Sequence, residues 1–209
     1  PNFMKDWISL LLTILFVTGN LFSQTTFTSS QSGYWDNQAT WGNVGAVPSN
    51  SDTAIINFGA TVIVRNNAVT VDKLTLTDGT LKVRSLLTVS NSNGDSSTAS
   101  GTSLILEEAD MIISDNDFEN AGDITIGAEE SLIFSSGGGD TFSNTGSVTI
   151  TSNSQSFGSV VFTGTYSGNT NAMIYSRFVE GADGEWDLIG PPLNGMNIAT
   201  IQLPPYLYH

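Results

Sequence analysis

The sequence predicts an all-β protein: a right-handed parallel β-helix, or solenoid, with an amino-terminal capping segment and a short β-rich piece at its far end. Three observations carry that reading. The phrase Phe118-Glu-Asn120-Ala-Gly122-Asp-Ile124-Thr-Ile126 returns 24 residues later as Phe142-Ser-Asn144-Thr-Gly146-Ser-Val148-Thr-Ile150, and a fixed period of this size marks stacked repeats. Short apolar–x–apolar triplets recur along the chain, most with the period-2 alternation of strands that bury one face. Asn and Gly, which tolerate the left-handed backbone of tight corners, separate them. An antiparallel β-sandwich uses similar ingredients and is the alternative. The brevity of the triplets, and the return of Phe, Asn and Gly in register, favour the solenoid.

Taken in order, residues 1–24 read as upstream residues plus a secretory signal peptide. Met4-Lys5 supplies the positive start, Trp7 to Val17 the short apolar core, and Gly19, Asn20, Ser23 and Gln24 the polar exit; the apolar stretch is too short for a membrane span. Residues 25–52 form the capping segment, rich in Ser, Asn, Gly and aromatics, with Tyr34-Trp35, Trp41 and Val47-Pro48. Residues 53–172 form the solenoid. Its triplets include Val62-Ile-Val64, Val69-Thr-Val71, Leu74-Thr-Leu76, Leu81-Lys-Val83, Leu104-Ile-Leu106, Met111-Ile-Ile113 and Leu132-Ile-Phe134. Phe118 and Phe142 are expected to stack inside, and Asn120 and Asn144 to form an amide ladder at a corner. Residues 92–101 read as a polar loop projecting from the stack. Residues 173–209 read as the start of a second β-rich module. Strands Met173–Val179 and Trp186–Ile189 flank its turn, and the chain stops without a recognisable cap, as a fragment of a longer protein would.

Composition narrows the function classes. Twenty acidic against six basic residues give a net charge of −14, which repels nucleic-acid phosphates and anionic membranes. Nucleic acid is therefore excluded as a partner, as is membrane insertion after signal cleavage. The absence of cysteine removes disulfides, thiolate metal sites and cysteine nucleophiles. The one histidine, His209, is the last residue, which gives a serine–histidine triad no credible base.

Two groups of residues are candidate sites. Ten acidic residues fall between Glu107 and Asp140 without an intervening Lys or Arg, and Asp115, Asp117 and Glu119 sit at alternate positions within that run. Hard cations such as calcium need several such oxygens, although the Gly and bidentate Glu of a 12-residue calcium loop do not stand at their required spacing. No other cofactor is implied. Tyr34, Trp35 and Trp41 have flat faces suited to sugar rings. Capping of the open solenoid end is the reading preferred for them, since exposed apolar coils need a lid.

Several stretches resemble secreted and cell-surface β-solenoid proteins of Bacteroidetes, especially flavobacteria. These are the Trp35/Trp41 segment running into Val47-Pro48-Ser-Asn-Ser-Asp52-Thr-Ala-Ile55, the Phe-x-Asn-x-Gly-x-Ile-Thr-Ile repeat, and Arg177-Phe-Val179 with Trp186-Asp-Leu-Ile189-Gly-Pro-Pro192. The resemblance implies export through the type IX secretion system and an adhesin-like or scaffold role, and it supplies no catalytic residues. The expectation is a noncatalytic, monomeric, secreted or surface-exposed structural segment whose partners are surface glycans or other extracellular proteins. The alternative is a carbohydrate-binding module, or the leading module of a secreted polysaccharide-degrading enzyme.

Overall fold

In a computed structural model, residues 24–42, 44–90, 94–114, 117–135, 140–162, 164–168 and 173–176 are described. Strands of two to five residues alternate buried and outward positions, as the triplets require. The chain winds through them coil by coil. The first coil holds β1 (Thr26–Thr28) and β2 (Gly33–Tyr34), followed by a 3₁₀ turn over Gln38–Trp41. The second holds β3 (Thr53–Ile56), β4 (Ala60–Val64) and β5 (Val69–Val71), and the third β6 (Lys73–Leu76), β7 (Gly79–Val83) and β8 (Leu87–Val89). The fourth holds β9 (Ser96–Thr98), β10 (Ser103–Leu106) and β11 (Met111–Ile113), and the fifth β12 (Phe118–Asn120), β13 (Asp123–Ile126) and β14 (Ser131–Phe134). The sixth holds β15 (Thr141–Asn144), β16 (Ser147–Thr151) and β17 (Ser159–Phe162), and β18 (Thr165–Gly168) and β19 (Met173–Ser176) begin another.

From the second coil to the sixth, each coil adds one strand to each of three sheets, and within the sheets every strand pair is parallel. Sheet A runs β1-β3-β6-β9-β12-β15-β18, sheet B runs β2-β4-β7-β10-β13-β16-β19, and sheet C runs β5-β8-β11-β14-β17. The protein is an all-β solenoid of about six turns, and the antiparallel sandwich is set aside. The core is one buried cluster running the length of the stack. In sheet B its columns are aliphatic: Val62, Leu81, Leu104, Ile124 and Val148 follow one another in register.

The expected ladders are present in sheet A. Phe118 pairs with Phe142 and Asn120 with Asn144; the rings lie 6.0 Å apart between centroids, and Asn120 Nδ2 donates to Asn144 Oδ1 at 2.7 Å. Tyr166 extends the aromatic column at 5.6 Å from Phe142, and Phe134 of sheet C stacks on Phe142 at 4.7 Å. The glycine of the repeat has a steric cause. A Cβ on Gly146 would stand 2.0 Å from the Gly122 carbonyl oxygen of the coil below, so only glycine lets the coils close at this corner.

Three boundaries differ from the sequence reading. Ser96–Thr98, expected within a projecting loop, is strand β9 inside sheet A, between β6 and β12. Its inward side chains are hydroxyls, so it carries no apolar pattern, yet both are buried and bonded. Ser96 Oγ accepts from Leu74 N at 2.9 Å, and Thr98 Oγ1 donates to Asn120 Oδ1. The capping segment is itself part of the stack, since β1 pairs with β3 and β2 with β4. Met173–Ser176, expected to open a second module, joins sheet B beside β16. Residues 1–23, which hold nearly all of the expected signal peptide, and residues 177–209, Trp186 included, lie outside the described residues.

Candidate binding surface

The first coil closes one end of the core. Among the described residues sheet C has no strand there, and the 3₁₀ turn and the segment after it occupy that side. Asn37 Oδ1 accepts from Ala39 N at 3.0 Å and Gly42 ends the turn at φ 77°, a capping arrangement at both ends. Trp35 and Trp41 are each 2% exposed and meet edge to face at 5.0 Å, with Phe27 at 6.4 Å from Trp41. Both indole N–H groups are satisfied: Trp35 Nε1 donates to Pro48 O at 3.2 Å and Trp41 Nε1 to Trp35 O at 2.9 Å. Asp52 ties the segment down by accepting from Ser49 N, Ser49 Oγ and Thr25 N at 2.9, 2.6 and 3.2 Å. Neither indole offers a face to a sugar. Of the three aromatic residues singled out in the sequence, Tyr34 alone is open to solvent, and the Arg65 guanidinium lies 3.0 Å over its ring.

The acidic run divides among different tasks. Asp117 Oδ1 accepts from Thr141 N at 2.6 Å, and Asp110 Oδ1 from Ser131 N at 2.7 Å, each bond joining one coil to the next. Asp123 Oδ1 accepts from Ser147 Oγ at 2.6 Å in the same way. Glu107 takes Arg84 Nε at 2.7 Å and Lys82 Nζ at 3.5 Å. Burial pushes its carboxyl up, but the Arg84 hydrogen bond and the Lys82 and Arg84 charges together hold it below the ordinary carboxylate range. Glu130 goes the other way: burial, then the charges of Asp110, Glu129 and Glu108, push it above that range. Of the three residues considered for calcium, Asp115 lies outside the described residues, Asp117 is committed to Thr141, and Glu119 is exposed on the outward side of β12. Among the described residues no group of three or more His, Cys, Asp or Glu side chains could hold a metal ion.

What the structure does assemble is an open groove of about 430 Å³ on the outer side of sheet A, where it turns toward sheet B. Its wall is one column of outward residues from four coils, Thr75, Ser97, Glu119 and Ser143, whose strands pair in register. Ala99 and Ala121 line the corner side. Thr77 Oγ1 and Thr145 Oγ1, on the same side, donate to carbonyls of the coil below, Ile56 O at 3.1 Å and Asn120 O at 3.2 Å. Directly beneath runs the amide ladder. Sequence reasoning singled out Glu119 for another purpose and missed the rest. No one residue type holds all four positions of the column, and it is the register between strands that brings them together.

Comparison with known proteins finds no match: no family model, no curated protein and no solved structure aligns significantly with this chain.

Proposed function

We propose that this chain is a noncatalytic structural segment of a secreted or cell-surface protein, an adhesin-like solenoid that sets distance and presents its side faces. The single observation that carries the reading is the parallel register of sheets A and B, unbroken from β1 to β18 and from β2 to β19. Each coil adds the parallel strand spacing, about 4.8 Å, to the axis, so six coils rise about 29 Å and further coils extend it by the same step. Four carboxylates support the same role, because Asp52, Asp110, Asp117 and Asp123 each accept a bond that fastens one segment of the stack to another. The resemblance to surface solenoids of Bacteroidetes adds the destination and the type IX export route.

The test is to remove one coil. Deleting residues 118–141 takes out one 24-residue period and brings β15 beside β9. The shortened chain is expected to unfold cooperatively and to lose about 4.8 Å of axial length by solution scattering. Collapse of the whole stack would overturn the modular spacer, and turnover of any polysaccharide by this chain would overturn the noncatalytic assignment. Export of a reporter fused behind residues 1–30 checks the destination, and a reporter retained in the cytoplasm would defeat it.

A further inference from the structure

We infer that the groove on sheet A is a binding site for a neutral glycan laid along the solenoid axis. Four observations lead there. First, Thr75, Ser97, Glu119 and Ser143 form a single outward column in printed strand register, and among the described residues none of these side chains is spent on a hydrogen bond within the fold. Hydroxyls both donate and accept, and a carboxylate accepts at two oxygens, so the wall matches a surface of sugar hydroxyls. At the parallel strand spacing the column spans about 14 Å, enough for a short oligosaccharide.

Second, the wall is rigid before any ligand arrives. Thr98, Asn120 and Asn144 are bonded to one another beneath it, and Thr77 and Thr145 are pinned to the coil below. A preorganised wall spares the ordering entropy that weakens polar recognition. Third, Ala99 and Ala121 leave a small apolar strip beside the hydroxyls, which suits the C–H face of a sugar.

Fourth, the alternatives fit worse. A peptide strand would need a free sheet edge, but β6, β9, β12 and β15 each have a paired strand on both sides. A hard cation needs several oxygens around it, and among the described residues Glu119 is the only carboxylate lining the groove. A polyanion meets a chain of net charge −14. The inference is independent of the spacer reading, which concerns the axis and not this lateral face, so either can fail alone.

The experiment is titration of the full chain with four neutral hexasaccharides: cellohexaose, xylohexaose, mannohexaose and laminarihexaose. Polygalacturonate and an oligolysine peptide are run beside them. At least one neutral sugar is expected to bind and the polyanion is not. Glu119→Gln keeps the shape but removes the charged acceptor, and is expected to weaken binding about tenfold. Ser97→Ile removes a hydroxyl and narrows the groove with a residue favoured in strands, and is expected to abolish binding. Thr88→Ile, the equivalent change on the outer face of sheet C, is expected to leave it unchanged. Circular dichroism and melting temperature establish that each variant folds. Binding by no neutral sugar, binding indifferent to both groove variants, or Glu119-dependent capture of the oligolysine peptide alone would overturn the assignment.

Discussion

Sheets A and B climb the same axis on the same step, yet they fill their inner columns with different chemistry. The sheet B columns are aliphatic, through Val62, Leu81, Leu104, Ile124 and Val148. A sheet A column starts the same way at Ile56 and Leu76, then changes to Thr98, Asn120 and Asn144. Apolar burial is strong but not directional, so an aliphatic column accepts any neighbour of the right size. A buried amide is satisfied only when its partner stands opposite, and an unmade bond is expensive. The comparison teaches that sheet B supplies the bulk of the cohesion and sheet A the register, in a stack whose very short strands would otherwise slip.

The largest expected effect comes from the corner between the two sheets. Gly146→Ala places a Cβ 2.0 Å from the Gly122 carbonyl oxygen, and the obstacle is backbone, which cannot swing away. The loss of stability is expected to be about 4 kcal/mol, at the upper end for single substitutions. Urea unfolding measures it, and a loss below about 1 kcal/mol would mean that the corner has room to open.

Next comes Leu104→Ala in the sheet B column. Leu104 is fully buried, and emptying its site is expected to cost about 3 kcal/mol, within the usual range for a core leucine. Sheet A is expected to answer differently. Asn120→Leu strands Thr98 Oγ1 and Asn144 Oδ1, each of which loses its bond to the amide, at about 1–3 kcal/mol per buried group. Adding Asn144→Leu removes one of those orphans, so the double variant is expected to lose less than the sum of the singles. A coupling of about 0.5–3 kcal/mol in the double-mutant cycle is the signature. Strict additivity would show that the ladder packs without specifying anything.

How much of this was legible before the fold was known follows the same division. The Phe118/Phe142 and Asn120/Asn144 ladders were readable because identical residues return at one interval, and a repeat states its own register. The aliphatic triplets announced their inward faces. Strand β9 was hidden because Ser96 and Thr98 occupy inward positions without being apolar, and their burial rests on bonds to Leu74 N and Asn120 that no local pattern reveals. The groove was hidden for a related reason: Thr75, Ser97, Glu119 and Ser143 share no motif and become neighbours only through pairing across coils. For Trp35 and Trp41 the sequence favoured a lid over a sugar platform, but the manner of their burial depends on where the segment up to Asp52 folds back over them.

The smallest expected effect separates neutral polar groups from charged ones. In sheet A the buried side chains of Thr98, Asn120 and Asn144 are uncharged and bond to one another; at the corner between sheets B and C, Glu130 is a buried carboxylate among the charges of Asp110, Glu129 and Glu108. Its folded-state carboxyl titrates above the ordinary value, so the folded chain holds this proton at pH values where the unfolded chain has released it. The contribution to stability is therefore full below the ordinary carboxylate range and is lost as pH rises through the raised value. Glu130→Gln is expected to remove that slope and to melt higher than the parent above the window, while the Asn120 variants shift the melting curve equally at every pH. Melting temperatures from about pH 4 to about pH 7 cover the window. A Glu130→Gln protein that melts below the parent throughout would show that this carboxylate, like Asp110 beside it, serves as a fastening acceptor between coils.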